Sequence, residues 1–93
     1  MDVNIHVGES RPIDIEVKID PEPTTSWSIT NPKYQTIFRE EVIDEGLPIV
    51  DQDTHIMTVV FAPSAIGVHR IRVDFWVGTH HQIREHEITV RGL

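Results

Sequence analysis

The stretch IMTVVFAPSAIGVHRIRVDFWV, Ile56 to Val77, sets the terms on which the rest of this chain packs. Its second half alternates: Val68, His69, Ile71, Val73, Phe75 and Val77 supply an inward row, and Arg70, Arg72, Asp74 and Trp76 an outward one. A period of two is the spacing of a β-strand with one dry face and one wet face. The first half, Ile56 to Phe61, is almost continuously apolar, the composition of a strand with protein on both sides. Pro63 and Gly67 end the pairing between these two strands, since proline brings no N–H to a ladder and glycine weakens one.

Shorter segments repeat the pattern. Val3, Ile5 and Val7 alternate with Asn4 and His6 before Gly8-Glu9-Ser10 breaks the run, which reads as an edge strand and a turn. Ile13, Ile15, Val17 and Ile19 alternate with Asp14, Glu16 and Lys18, and the prolines of the DPEP run at 20–23 stop them. Thr24 to Thr30 reads as a third strand, with Trp27 and Ile29 on a common side and Asn31-Pro32 closing it. The segment 33–52 is the least regular. IFREEVIDEG has helical spacing at Ile37, Glu40 and Glu41, with Gly46 as a cap, but Val42-Ile43 and Leu47 to Val50 suit short edge strands, which an otherwise β chain favours. The last strand is Glu87 to Arg91, with Ile88 and Val90 inward, after a charged, His-rich tip from Gly78 to His86.

Ninety-three residues make a single domain, 1–93, large enough for one core. With no cysteine there is no disulfide, no thiol chemistry and no thiolate metal site, a composition compatible with the cytoplasm and equally with a secreted parent. The Met1-Asp2 start has no charged and then apolar leader, and no apolar run approaches the ~18 residues of a membrane span, so a soluble chain is expected. A net charge of −7 argues against nucleic acid and anionic lipid, which are bound through basic patches.

About seven short strands bounded by turn residues predict a sandwich of two antiparallel sheets. Within that frame the spacing resembles an immunoglobulin-like domain of the intermediate set, as in titin-like muscle proteins and adhesion molecules. Val17 and Ile71 fall where the two core pins of strands B and F stand, and Trp27 falls at the Trp of strand C. Ile71, Val73 and Gly78, followed by Ile88 and Val90, match the F strand, FG turn and G strand. The opening VGES and the PEPTTSW segment belong to the same likeness. The resemblance implies that Trp27 packs on Val17 and Ile71. Both pins are aliphatic, which forgoes the ~2–4 kcal/mol of a disulfide. Ala65 replaces the usual Asp, and His69 stands at the tyrosine of the tyrosine corner, where a side chain bonds back to the main chain.

The chain is also similar to chagasin-like inhibitors of cysteine peptidases, which are immunoglobulin-like sandwiches with an NPTTG contact loop. Pro23, Thr24 and Thr25 match that loop, while Glu22 and Ser26 replace its Asn and Gly. The family's other two contact loops have no counterpart here. That resemblance implies an exposed Pro23-Thr24-Thr25-Ser26-Trp27 loop with Trp27 at its edge. A weaker echo of filamin repeats rests on FAPSAIGVHRIRV and lacks their Pro-Gly-Ser-Pro signature.

Among chemistry-bearing residues, His80, His81 and His86 lie beside Glu85 and Glu87, a donor set ordinary for zinc or copper. Adjacent histidines on a strand point to opposite faces, so a solvated hairpin is the expectation and no metal or other cofactor is assigned. Ser10, Ser26, Ser28 and Ser64 sit in no nucleophile elbow, and the acidic residues Glu40, Glu41, Asp44, Glu45, Asp51 and Asp53 lack the order of a calcium loop. No catalytic residue is assigned. Trp76 faces outward beside Arg70 and Arg72, the composition of an interface hot spot. The expectation is a non-catalytic, protein-binding or structural module, one domain of a larger multidomain protein, with Arg70, Arg72, Trp76, His80 and His81 as its contact surface.

Overall fold

The computed structural model describes residues 4–19 and 26–92. They form eight strands and no helix: β1 (Asn4–His6), β2 (Arg11–Glu16), β3 (Ile29–Phe38), β4 (Glu41–Gly46), β5 (Ile49–Asp51), β6 (Ile56–Phe61), β7 (Gly67–Val77) and β8 (His80–Arg91). One sheet has the order β1-β8-β7-β3-β4 and the other β2-β6-β5, which makes an all-β sandwich. Neighbours run antiparallel except β1 and β8, which are parallel from Asn4↔Thr89 to His6↔Arg91. Segment 33–52 is strand throughout its regular parts, as its edge-strand pattern implied, and it raises the strand count to eight.

Alternation decides what is buried. Ile13, Ile15 and Val17 from the second strand and its extension meet Met57, Val59 and Phe61 from β6 in one core cluster with Ile29, Ile71, Val73, Phe75, Ile88 and Val90. Burying a side chain of this size contributes roughly 1.5–3 kcal/mol before chain entropy is subtracted. Ile5 is fully enclosed although β1 is only three residues long, because β1 lies against the end of β8.

Partner choice differs from the expected pattern. β6 and β7 belong to opposite sheets, β6 between β2 and β5 and β7 between β8 and β3. Each carries one apolar row, and two such rows bury more when stacked face to face than when paired side by side. Val60 is accordingly 53% exposed, so Ile56–Phe61 has protein on one side only. Val68, 55% exposed, also points out, because His69 takes the inward place next to it.

The third strand begins at Ile29, not Thr24, and the DPEP run with Thr24 and Thr25 lies outside the described residues. Nor does Asn31-Pro32 close it. The ladder passes from Thr30↔Trp76 to Lys33↔Asp74 across a bulge that absorbs the extra residue, with Asn31 at φ 49°. A bulge is where a strand tolerates proline. The last strand begins at His80, so the tip shrinks to Gly78-Thr79 and the His-rich segment pairs with β7 from Val77↔His80 onward.

The β3–β4 hairpin turns on Arg39 and Glu40, both left-handed at φ 50° and 65°. Such a pair matches the twist of the flanking strands but costs a residue with a Cβ about 1 kcal/mol or more. Glu40→Gly is therefore expected to stabilise the protein by about 0.5 kcal/mol, net of glycine's greater unfolded entropy, read as a higher urea midpoint. A lower midpoint would show that the turn is not strained.

Candidate interaction surface

β7 and β8 stay in register without a break from Gly67↔Val90 to Val77↔His80, so parity fixes which side chains share a face. On the outward face Trp76 stands opposite His81, Asp74 opposite Ile83, Arg72 opposite Glu85 and Arg70 opposite Glu87. Trp76 is 38% exposed, and its ring stacks on His81 with centroids 5.0 Å apart. His81 Nε2 lies 3.5 Å from Asp74 Oδ1, and Arg70 Nη1 lies 3.6 Å from Glu85 Oε2. From β3, Gln35 faces Arg72 and Ile37 faces Arg70 across the ladder.

Arg72 is the odd member of this face. Glu85, directly across from it, reaches Arg70 instead, and Arg72 Nε is buried with no acceptor among the described residues. A guanidinium N–H removed from water without a partner is destabilising unless something else supplies the acceptor. Around it stand the Trp76-His81 stack and an exposed Ile83. Arg70, Arg72, Trp76 and His81 thus share one face, as their parity implied.

His80 does not join them. It pairs with Val77, on the parity of Phe75 and of the inward Ile88 and Val90, and so lies on the other side of β8. His86, opposite Ile71, shares that side but stands six residues away, about 20 Å along a strand. Among the described residues no three His, Asp or Glu side chains converge as a metal would require, and neither the histidines nor the acidic segment makes an exception.

Val17 and Ile71 are both buried in the core cluster, and Trp27, partly buried, packs against that cluster. The residue opposite Ile71 is Thr36, whereas Ile29, just after Trp27, pairs with Val77 at the far end of β7. Trp27 precedes the strand, is partly buried, and stacks on His55 at 3.6 Å with planes 12° apart. His55 Nε2 donates to Trp27 O at 3.0 Å, and His55 O accepts from Val17 N at 2.9 Å. One histidine at a turn therefore holds Val17 and Trp27 at the same corner. Ser26 is exposed, while Pro23, Thr24 and Thr25 lie outside the described residues.

Of two further ties, only the one at His69 was signalled in the residue pattern. Gln52 uses both ends of its amide on one residue, Nε2 donating to Ile29 O and Oε1 accepting from Ile29 N, each at 2.9 Å. The side chain completes the ladder of β3 where β4 does not reach. His69 is fully buried between Phe38, stacked at 4.4 Å, and Phe61, edge-on at 5.4 Å. Because a carbonyl only accepts, His69 Nδ1 carries the hydrogen of its 3.1 Å bond to Gly67 O. His69 thus bonds back to the main chain two residues upstream. Gly67 permits the approach: its φ is +132°, and a Cβ there would lie 3.1 Å from the Phe38 ring. An inward polar residue in an apolar row was the one signal of this site.

His69 Nε2, buried without a partner among the described residues, makes the site informative. His69→Leu gives up one hydrogen bond but also removes the orphan nitrogen, so it is expected to change stability by less than about 1.5 kcal/mol. His69→Ala leaves a cavity and is expected to cost about 2–4 kcal/mol. Urea denaturation of both variants checks the pair, and equal losses would contradict this account.

Comparison with family models, with curated proteins and with solved structures finds no match for this chain.

Proposed function

We propose that this chain is a non-catalytic, immunoglobulin-like interaction module, of the kind that serves as one domain of a longer protein, and that it takes a protein partner on the outward face of β3, β7 and β8. The immunoglobulin-like reading is supported by strand order. β8-β7-β3-β4 facing β2-β6-β5 follows the G-F-C-C′ and B-E-D arrangement of such sandwiches, and His69 makes the corner bond. The site reading rests on Arg72. In a chain with excess acid it has no acceptor for its buried Nε, beside a half-exposed Trp76 presented on a rigid ladder. Tryptophan and arginine on a rigid, partly dry surface are what interface hot spots are made of. A partner carboxylate or carbonyl would supply the acceptor that the domain withholds.

Peptide-phage selection on the purified domain tests this. The selected peptides are expected to lose at least about tenfold in affinity on Trp76→Ala and on Arg72→Ala, roughly the 1.4 kcal/mol or more of a hot spot. Binders indifferent to both substitutions would remove the face from consideration.

Inhibition of a cysteine peptidase is the second reading, favoured by a partly buried Trp27 that precedes β3 and stacks on His55. Titration of the domain into a papain-type protease decides it. Inhibition abolished by Thr24→Ala with Thr25→Ala would establish the inhibitor, and full protease activity at micromolar domain would eliminate it.

A further inference from the structure

Beyond the sheet face, we infer that β4 is a second docking site, one that accepts an extended basic segment of a partner protein as an added strand. Among the described residues β4 pairs with β3 alone. Leu47-Pro48 then carries the chain into β5, which pairs with β6 alone, so both strands are edges on the same side of the sandwich. An edge strand aims alternate N–H and C=O groups away from its neighbour, a template for another strand.

Other edges of this molecule are guarded. β1 and β5 are three residues long, β2 begins with Arg11-Pro12 beside the Arg11–Glu9 pair, and the part of β8 that β1 leaves uncovered turns Arg84 and His86 toward the inner side. These are ordinary defences against stray pairing. β4 has neither lysine nor proline, and its surroundings expose Val42 (49%), Ile43 (46%), Leu47 (77%) and Ile49 (69%). The ladder steps from Thr36↔Asp44 to Ile37↔Val42, leaving Ile43 without a counterpart on β3.

Charge selects the occupant. From Glu40 to His69 there is no Lys or Arg, but there are six acidic residues, Glu40, Glu41, Asp44, Glu45, Asp51 and Asp53. A second copy would set one acidic β4 against another, and like charges directly opposite each other destabilise a strand pair. A strand alternating basic and apolar residues meets both the carboxylates and the exposed aliphatic side chains. Shallow clefts adjoin β4, one lined by Lys33, Tyr34, Gly46 and Leu47, the other by Ile43 and the segment 61–64. Tyr34 holds the strand's inner side: its hydroxyl donates to Asp44 Oδ2 at 3.5 Å, and a Cβ on Gly46 would lie 3.1 Å from its ring. Burial first, then the Asp44 charge and bond, raise the Tyr34 pKa above the usual phenol value, so this donor persists at neutral pH.

The probe is a peptide of about eight residues alternating lysine with valine and threonine, long enough to span β4. Its controls are the same peptide with glutamate for lysine and one N-methylated at alternate amides. Binding is followed by amide shifts and hydrogen exchange of the domain. The lysine peptide is expected to protect amides of Glu41–Gly46. Its affinity is expected to fall at least about tenfold with either control, and equally in the Ile43→Lys, Leu47→Lys double variant, whose changes are at exposed positions. Unchanged protection in β7 certifies that this variant is folded, and Trp76→Ala leaves the peptide affinity unaltered. Absence of binding at millimolar peptide, binding indifferent to N-methylation, protection of β8 or β2 in place of β4, or self-association of the domain through β4 would each overturn the proposal.

Discussion

Among the described residues the two sheets share no ladder, and the chain has no cysteine to link them by a disulfide, so face-to-face packing of their apolar rows is the interaction on which everything else rests. Ile15, Met57 and Val59 on one side and Ile71, Val73 and Phe75 on the other are each 1% exposed or less. Packing of this kind is strong but has no direction, and a sandwich held by it alone would tolerate sliding. Direction comes from a few polar ties at the corners. Gln52 bridges the β5–β6 turn to Ile29, His55 joins Val17 to Trp27, and His69 fixes the entry of β7 at Gly67. His55 is half-buried, His69 buried and Gln52 exposed, and each side chain bonds to the main chain, where a misplaced sheet would leave polar groups unsatisfied.

With the interior row of β7 fully committed, its outward row is free of packing duty. That is why Arg72 and Trp76 can stand where stability alone would favour a paired arginine and a smaller side chain. The five-stranded sheet has a mixed-charge face around Trp76 and an acid-only edge at β4, with β3 between them.

Much of this was legible because burial in a strand is a local rule. Ile13, Ile15, Val17 and the row from Ile71 to Phe75 announce their faces by parity, and parity also put Arg70, Arg72 and Trp76 together. Segment 33–52 was harder for a specific reason. Its hairpin turns on Arg39 and Glu40, residues with no preference for the left-handed conformation they adopt, so no Asn-Gly signal marks the turn. Asn31-Pro32 gave the opposite error, a strong stop signal that the ladder absorbs in a bulge.

By itself, then, the order of residues determined that the chain is all-β, which side chains face the core, and that the core closes without disulfides, since these depend on period and composition alone. Only the tertiary structure decided that β6 and β7 lie in opposite sheets, that β1 runs parallel to β8, that His80 parts from His81, and that Trp27 stacks on His55. The physical reason is that alternation fixes a face but not a neighbour. Strand partners and register are settled by how much apolar surface the whole set of strands can bury at once, a quantity no single segment contains.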